Sequence, residues 1–147
     1  MNEAELAELF AESRSLQVAT LGKDGAPHLT TLWFTVHGGM VMFETYGKSQ
    51  KVMNLRRDPR IAVLCEAGED YAQLRGVSIQ GRAELVEEGE RLQVLMRALV
   101  DHHFPGQSAD KVAEMAAGMA TKRIVVVVHA DKVISWDHRK LGGKGPV

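Results

Sequence analysis

A short run of hydroxyl and basic side chains over residues 45–51 is the part of this sequence best suited to chemistry. Lys48, Ser49 and Lys51 stand where an apolar, strand-like segment gives way to a predicted helix over 49–57. A serine at this point is suited to cap the helix. The free N–H groups and the dipole of a helix N-terminus favour an anion, and the lysines add positive charge. The segment therefore predicts a phosphate-binding site.

Simpler explanations of the basic and imidazole side chains stay open. An ordinary capped surface helix with solvated lysines would show the same residues. Arg56, Arg57 and Arg60 are expected to be solvated or paired with acidic side chains. Adjacent residues do not share a helix face, so His102 and His103 indicate a solvated helix end rather than a metal site.

Length and composition describe one ordinary domain. The chain has 147 residues, 45% hydrophobic and 25% charged, and its net charge of -1 gives no support to a nucleic-acid or membrane partner. The single cysteine, Cys65, lies in an apolar run and is expected to be a buried strand residue in a reducing compartment. Neither a secretory signal nor the roughly 20 apolar residues of a membrane helix is present. We expect a cytoplasmic protein.

The elements that must position the 45–51 segment are short strands with a few helices between them. Strands are predicted over 16–21, 28–36, 40–45, 60–66, from about Tyr71 to Val86, 124–129 and 132–136, and helices over 3–13, 49–57, 88–103 and 108–119. Turn signals join the first strands into antiparallel hairpins, and Gly76 and Gly81 indicate bulges in the long strand. The pattern predicts a mainly β, α+β domain, an antiparallel barrel of about six or seven strands with flanking helices. This domain covers 1–141, and a flexible tail covers 142–147.

The helix-start segment also resembles a known family. Lys48-Ser49-Gln50-Lys51, with Asn54-Leu55-Arg56-Arg57-Asp58-Pro59-Arg60 behind it, is similar to the pyridoxamine 5′-phosphate oxidase-like superfamily, which has the FMN-binding split β-barrel fold. Within that superfamily the closest likeness is to the actinobacterial branch that includes deazaflavin (coenzyme F-420)-dependent reductases. The likeness extends to the first hairpin at 15–28, the central strand at 76–85 and the ending at 133–141.

The resemblance implies a cofactor site without a catalytic side chain or a metal. The implied cofactor-binding residues are His28, Thr30, Thr31 and Trp33 along the ring and ribityl chain, Glu44, Thr45, Lys48, Ser49 and Lys51 at the phosphate end, and Gln80, Trp136 and Arg139 around the ring. The cofactor would carry the hydride chemistry. Thr30 and Thr31 are the candidate donors to its ring. Members of the family generally form homodimers with the cofactor between subunits.

Two functions of different kinds follow from this resemblance. The first is an oxidoreductase that binds F-420 or FMN by its phosphate and transfers hydride to a small organic acceptor. The second is a non-catalytic protein that binds or carries FMN, F-420 or haem, with His129 or His138 as a haem ligand in the less favoured haem case. Lys48 and the three arginines at 56, 57 and 60 would accommodate the acidic tail of F-420, which slightly favours F-420. Ser49 stands where some deazaflavin-binding relatives carry arginine, so both cofactors stay open. The authentic oxidase ends in further arginines that this chain lacks, so pyridoxamine phosphate is not the expected substrate.

Overall fold

A computed structural model describes residues 1–142, and its centre is a closed antiparallel barrel of six strands. The strands are β1 Ser15–Leu21, β2 Pro27–His37, β3 Met40–Tyr46, β4 Arg60–Ala67, β5 Arg75–Val86 and β6 Arg123–Asp137. The helices are α1 Glu3–Glu12, α2 Gln50–Arg57, α3 Gly89–His103 and α4 Ala109–Ala120. The strand order around the barrel is β1-β2-β3-β6-β5-β4, and β1 pairs with β4 to close it. The predicted split-barrel fold is confirmed.

Strand alternation gives the barrel an inner and an outer face, because successive side chains of a strand point to opposite sides. Phe34 of β2 pairs with Phe43 of β3, and both are fully buried inside the barrel. Met42 and Val127 point outward and pack beneath α3 and α4 in a second apolar cluster. Burying each of these side chains contributes roughly 1.5–3 kcal/mol. The two clusters fix α3 and α4 on the outer face of β3 and β6.

The last strand departs from the prediction. The sequence indicates two strands over 124–129 and 132–136, whereas β6 runs without a break from Arg123 to Asp137. The ladder is irregular within this strand: Gln80 of β5 pairs with Lys132 and Gly81 pairs with Ala130, so Asp131 of β6 is an extra, unpaired residue. A Cβ atom at Gly81 would lie 2.0 Å from the backbone oxygen of His129, so only glycine allows this approach. The irregularity predicted at Gly81 is confirmed, although the extra residue belongs to β6 and Gly81 lies opposite it.

The long central strand begins later than predicted. Tyr71–Gln73 form a 3-10 turn, and β5 starts only at Arg75. The backbone N–H of Gln73 donates to the backbone oxygen of Asp70 at 2.8 Å, and the backbone N–H of His138 donates to the backbone oxygen of Leu74 at 2.8 Å. This second contact comes from the other end of the domain. Local sequence patterning therefore could not show that the turn replaces extended strand.

The C-terminal end of the chain bears on two further expectations. Of the tail predicted flexible over 142–147, only Gly142 is described, and 143–147 lie outside the described residues. None of the described helices has the length and apolar character needed to span a bilayer.

Candidate functional site

The N-terminus of α2 lies at the rim of the barrel, directly after β3. The Gly47 N–H donates to the backbone oxygen of Lys122, and the Ser49 N–H donates to the backbone oxygen of Tyr46, both at 3.0 Å. The chain therefore turns tightly there. Ser49 caps the helix, because its Oγ accepts a hydrogen bond from the Val52 N–H at 3.4 Å. The predicted cap is confirmed. The first N–H groups of a helix have no partner within it, so they face the rim.

Three side chains meet at this rim and form what we call the cap cluster: Thr45, Ser49 and Lys51. The Thr45 hydroxyl donates to Ser49 Oγ at 3.4 Å, and Lys51 Nζ donates to Thr45 Oγ1 at 3.3 Å. Thr45 is buried, whereas Lys51 is half-buried. Burial lowers the pKa of Lys51, and the charge of nearby Glu44 opposes that shift. No ion pair among residues 1–142 includes Lys51, so its ammonium is partly desolvated without a carboxylate partner.

Glu44 lies on the outer face of β3, opposite to Thr45. Arg123 Nη1 donates to its carboxylate at 2.8 Å, and Arg123 Nη2 donates to the Tyr46 hydroxyl at 3.1 Å. Burial raises the pKa of Glu44, while Arg123 and Lys51 pull it down. The structure therefore places this predicted residue near the cap cluster, but its carboxylate is committed to the Arg123 ion pair.

The four predicted residues of β2 divide between its two faces. His28 pairs with Thr20, and Thr30 pairs with Val18; both partners are buried, so both predicted side chains point into the barrel. His28 Nδ1 and Thr30 Oγ1 are buried without a hydrogen-bond partner among residues 1–142. Thr31 and Trp33 alternate to the outer face.

This division limits what the β2 hydroxyls can do together. Thr30 and Thr31 are adjacent, so their side chains point to opposite sides of the sheet. The two predicted ring donors therefore cannot contact the same face of one ligand through their side chains.

A buried amide network that sequence reasoning missed fixes the orientation of α2. Asn54 is fully buried, and its Nδ2 donates to Thr20 Oγ1 of β1 at 3.0 Å. Gln50 Nε2 donates to Asn54 Oδ1 at 2.8 Å. A buried polar group with satisfied hydrogen bonds holds its element in one position. The available signal was an asparagine on the helix face shared with apolar Val52 and Leu55.

Trp136 lies far from the cap cluster within the chain. Thr45 pairs with Ile124 at the start of β6, whereas Trp136 pairs with Gly76 at the other end of that strand. The indole covers Gly76 so closely that a Cβ there would lie 2.3 Å from Trp136 Cζ2. Trp136 therefore packs on the sheet of its own chain, and within a single chain it lies far from the cap cluster.

Arg139 and Gln80 are also separate from the cap cluster. Arg139 Nη2 donates to Asp137 Oδ2 at 2.7 Å, and this contact lowers the pKa of Asp137 to about 2. Gln80 is exposed on the outer face of β5, where it lines a shallow cavity of about 370 Å³ with Ala62 and Lys132.

The basic residues around α2 differ in how far they are already engaged. The arginines each have partners: Arg56 pairs with Glu87, Arg57 donates to the Leu21 oxygen at 2.8 Å, and Arg60 pairs with Asp58 at 2.7 Å. The expectation that they are solvated or paired is confirmed. Lys48 is exposed at the helix start.

The sequence prediction was wrong for His103. It indicated a solvated helix end, but His103 is only 8% exposed and stacks on Trp33 with ring centroids 4.9 Å apart. The last turn of α3 folds over the outer face of β2, a tertiary contact that helix periodicity does not show. His103 and Trp33 line a cavity of about 420 Å³ between the barrel and α3–α4. Among residues 1–142, no three His, Cys, Asp or Glu side chains are grouped to hold a metal.

Two relatives are similar to this chain at 34% sequence identity or more, one of them a solved structure and the other a curated protein. A conserved hypothetical protein from Mycobacterium tuberculosis is 44% identical, with a TM-score of 0.90 over 100% of this chain and 91% of that one. The pyridoxine/pyridoxamine 5′-phosphate oxidase of Kineococcus radiotolerans is 34% identical over 79 residues, which are 54% of this chain. The match spans only 34% of the length of that curated relative.

More distant structures share the fold alone. An F-420 reductase is 21% identical with a TM-score of 0.63, covering 86% of this chain and 94% of that one. A haem storage protein from Vibrio cholerae is 16% identical with a TM-score of 0.71, covering 90% of this chain and 92% of that one.

The family model described as pyridoxamine 5′-phosphate oxidase matches residues 3–137, nearly the whole domain. The chain therefore belongs to the pyridoxamine 5′-phosphate oxidase family.

Proposed function

We propose that this protein is an oxidoreductase that binds a flavin or deazaflavin cofactor by its phosphate at the cap cluster. The observation that carries the proposal is the ammonium of Lys51. Lys51 is half-buried, its ammonium donates a hydrogen bond to the neutral hydroxyl of Thr45 at 3.3 Å, and no ion pair of the described residues includes it. A desolvated cation at a helix N-terminus is stabilised by an anion in the same place.

The donor set of the cap cluster fits a phosphate group. Ser49 Oγ accepts from the Val52 N–H and from Thr45, which leaves its own proton available for a further oxygen. Lys51 supplies charge, and the first N–H groups of α2 supply backbone donors. Together these donors match the oxygens of a phosphate ester, a group that both FMN and F-420 carry.

The roles of the chain's own residues follow from this arrangement. When bound, the cofactor supplies the hydride transfer to a small organic acceptor. Ser49 and Lys51 hold its phosphate, and Asn54 keeps α2 in place through Thr20. Arg123 forms an ion pair with Glu44, which offsets the negative charge of that carboxylate beside the phosphate site.

The choice between the two cofactors depends on the cations around α2. F-420 carries an acidic tail, and four basic residues would accommodate it if all were available. Arg56, Arg57 and Arg60 already have partners within the chain. The slight preference for F-420 therefore rests on exposed Lys48, and FMN fits the cap cluster equally well.

The functional unit in this proposal is a homodimer with the cofactor at the subunit interface. Trp136 and the cap cluster lie at opposite ends of β6, so one site can contain both only if two copies contribute. The outer face of β1, β2, β4 and β5 carries two large exposed apolar side chains, Leu29 and Trp33, and Ile134 continues this surface on β6. Apolar patches of this kind mark protein interfaces.

The proposal is tested by titrating the purified protein with F-420 and FMN in parallel, following quenching of cofactor fluorescence. We expect saturable binding of at least one, and turnover when the reduced cofactor is offered with a panel of small organic acceptors. Tight binding without turnover would instead support a cofactor carrier. Binding of neither would refute the assignment of the cap cluster.

A further inference from the structure

Helix α1 lies across one end of the barrel and presents three carboxylates along one face. Its apolar face packs on the barrel core, where Leu9 is fully buried. Glu5, Glu8 and Glu12 follow one another at spacings of three and four residues, so they share one face of the helix. We call these three carboxylates the acidic stripe.

The acidic stripe contacts a buried arginine at the start of β5. Arg75 is only 8% exposed, its Nη2 forms an ion pair with Glu12, and its Nη1 lies 3.7 Å from the Glu8 carboxylate. This Nη1 has no hydrogen-bond partner among residues 1–142. A buried guanidinium is costly unless carboxylates compensate its charge. Helix α1 therefore provides the negative charge that stabilises Arg75 at the end of the barrel.

The acidic stripe also reaches the end of the described chain. There His138–Leu141 form a 3-10 turn, which we call the C-terminal turn. Lys140 of this turn forms an ion pair with Glu5 at 2.8 Å, and this contact is the main cause that lowers the pKa of Glu5. The backbone N–H of His138 donates to the backbone oxygen of Leu74, directly before β5. Helix α1 and the start of β5 therefore hold the C-terminal turn together.

Arg139 of the C-terminal turn lies near the groups that surround Arg75. Asp137 pairs with Arg75 across the β5–β6 ladder, and its carboxylate accepts hydrogen bonds from the Arg139 side chain at 2.9 and 2.7 Å. These hydrogen bonds raise the pKa of Arg139, and the negative charges of Glu8 and Glu12 add to that effect. Both guanidinium groups are therefore stabilised by the same two carboxylates of α1.

We infer that α1 is a clasp: its acidic stripe holds Arg75 and the C-terminal turn, and thereby positions Trp136 and Arg139 for the cofactor ring. Trp136 belongs to this unit, because its indole lies on Gly76, the residue that follows Arg75. The effect on the cofactor rests on the proposed function, in which these two side chains complete the site of a second copy. Arg75 and the acidic stripe are positioning residues, since they act only through the C-terminal turn and Trp136.

The clasp is tested first without cofactor, by hydrogen–deuterium exchange of the full-length protein. Glu8→Gln/Glu12→Gln removes the negative charge beside Arg75 and keeps the shape of both side chains. We expect the amides of residues 136–141 to exchange about tenfold faster in this variant, as the loss of a buried ion pair implies, while those of β3 keep their rates. Glu3→Gln is the matched control, because it removes one charge from the opposite face of α1 and should change neither rate.

Arg75→Met is a second variant that breaks the clasp without leaving a buried charge unpaired. The side chains of Glu8 and Glu12 are each 51% exposed, so both carboxylates can be solvated once the arginine is removed. The variant should therefore remain folded even where the double glutamine variant does not, as its thermal unfolding midpoint would show. We expect the same amides to exchange faster. Unchanged exchange of residues 136–141 in folded Arg75→Met would overturn the clasp.

Cofactor binding then separates positioning from stability. FMN and riboflavin share the ring, so displacement of Trp136 and Arg139 in Arg75→Met should weaken both by an equal factor of about three to ten, the scale of one weakened contact. Unchanged affinity for both ligands, despite faster exchange of the C-terminal turn, would overturn the positioning role. A loss for FMN alone would also overturn it, because that loss belongs to the phosphate site. If the wild-type protein binds neither ligand, the proposed function fails, and the exchange rates alone decide whether α1 is a clasp.

Discussion

At the scale of single residues, the environment of a side chain decided its role more than its type did. Lys48 and Lys51 look alike in the sequence, yet only Lys51 is half-buried against Thr45. The hydroxyl–lysine pattern at the helix start predicted the cap cluster, because capping is a local property. The burial of His103 could not be predicted in this way, since it depends on a strand about 70 residues earlier in the chain.

The lowered pKa of Lys51 predicts how cofactor affinity changes with pH. Only the protonated lysine attracts a phosphate, and its pKa lies below the ordinary value of a lysine. Binding of FMN or F-420 by the wild-type protein should therefore weaken as the pH rises above neutral, and the decline should begin at a lower pH than an ordinary lysine would give. Lys51→Arg, which stays charged throughout, should bind with little dependence on pH over the same range. The measurement is a series of fluorescence titrations, and an equal decline in both proteins would assign the effect to another group.

At the scale of secondary-structure elements, the sequence predicted most of the helices and strands, but it did not predict which side chains of a strand point into the barrel. The α2 helix and its cap follow from local signals, and both are present. The division of the β2 side chains between two faces follows from the period of a strand, but which set points inward depends on pairing with β1. The continuity of β6 also depends on its partner, because β5 pairs with it on both sides of the unpaired residue Asp131.

Gly81 is predicted to be essential to the β5–β6 pairing. Gly81→Ala would place a Cβ about 2.0 Å from the His129 oxygen, so the strands must separate locally. We expect the free energy of unfolding to fall by about 1–3 kcal/mol. Gly118→Ala is the matched control, since it lies in helix α4 with open space around it and should raise that free energy by up to about 1 kcal/mol. Chemical denaturation measures both, and an unchanged stability of Gly81→Ala would show that the approach of the strands is looser than described.

At the scale of the whole molecule, the predicted cofactor residues form two groups that a single chain keeps apart. Thr45, Ser49 and Lys51 meet at one rim of the barrel, whereas Trp136 and Arg139 lie at the far end of β6. The sequence could not show this separation, since it arises from barrel closure. The proposed homodimer accounts for both groups, because a second copy would bring one group to the other.

The proposed dimer predicts a specific sensitivity to charge on the outer face of the sheet. Ile134 is 46% exposed on β6, and Leu29 is 68% exposed on β2. A lysine at Ile134 would cost little in an isolated chain, but it would place a charge in an apolar interface. We expect sedimentation velocity to show a dimer for the wild-type protein and a monomer for Ile134→Lys. Val94→Lys, an exposed position on α3, is the control that should remain dimeric. A monomeric wild-type protein would contradict the shared site.

The central claim, that the cap cluster binds the cofactor phosphate, is tested most directly by a cycle of two ligands and two proteins. FMN and riboflavin share the ring and the ribityl chain, and only FMN carries the phosphate. We predict that the wild-type protein binds FMN more tightly than riboflavin. Lys51→Ala should then weaken FMN binding by about 1–3 kcal/mol and leave riboflavin binding unchanged, while Lys111→Ala, a lysine on the remote helix α4, should change neither. The same cycle applies to F-420 and its phosphate-free deazaflavin. Equal affinity of the wild-type protein for both members of a pair, or an equal loss for both in Lys51→Ala, would contradict the claim.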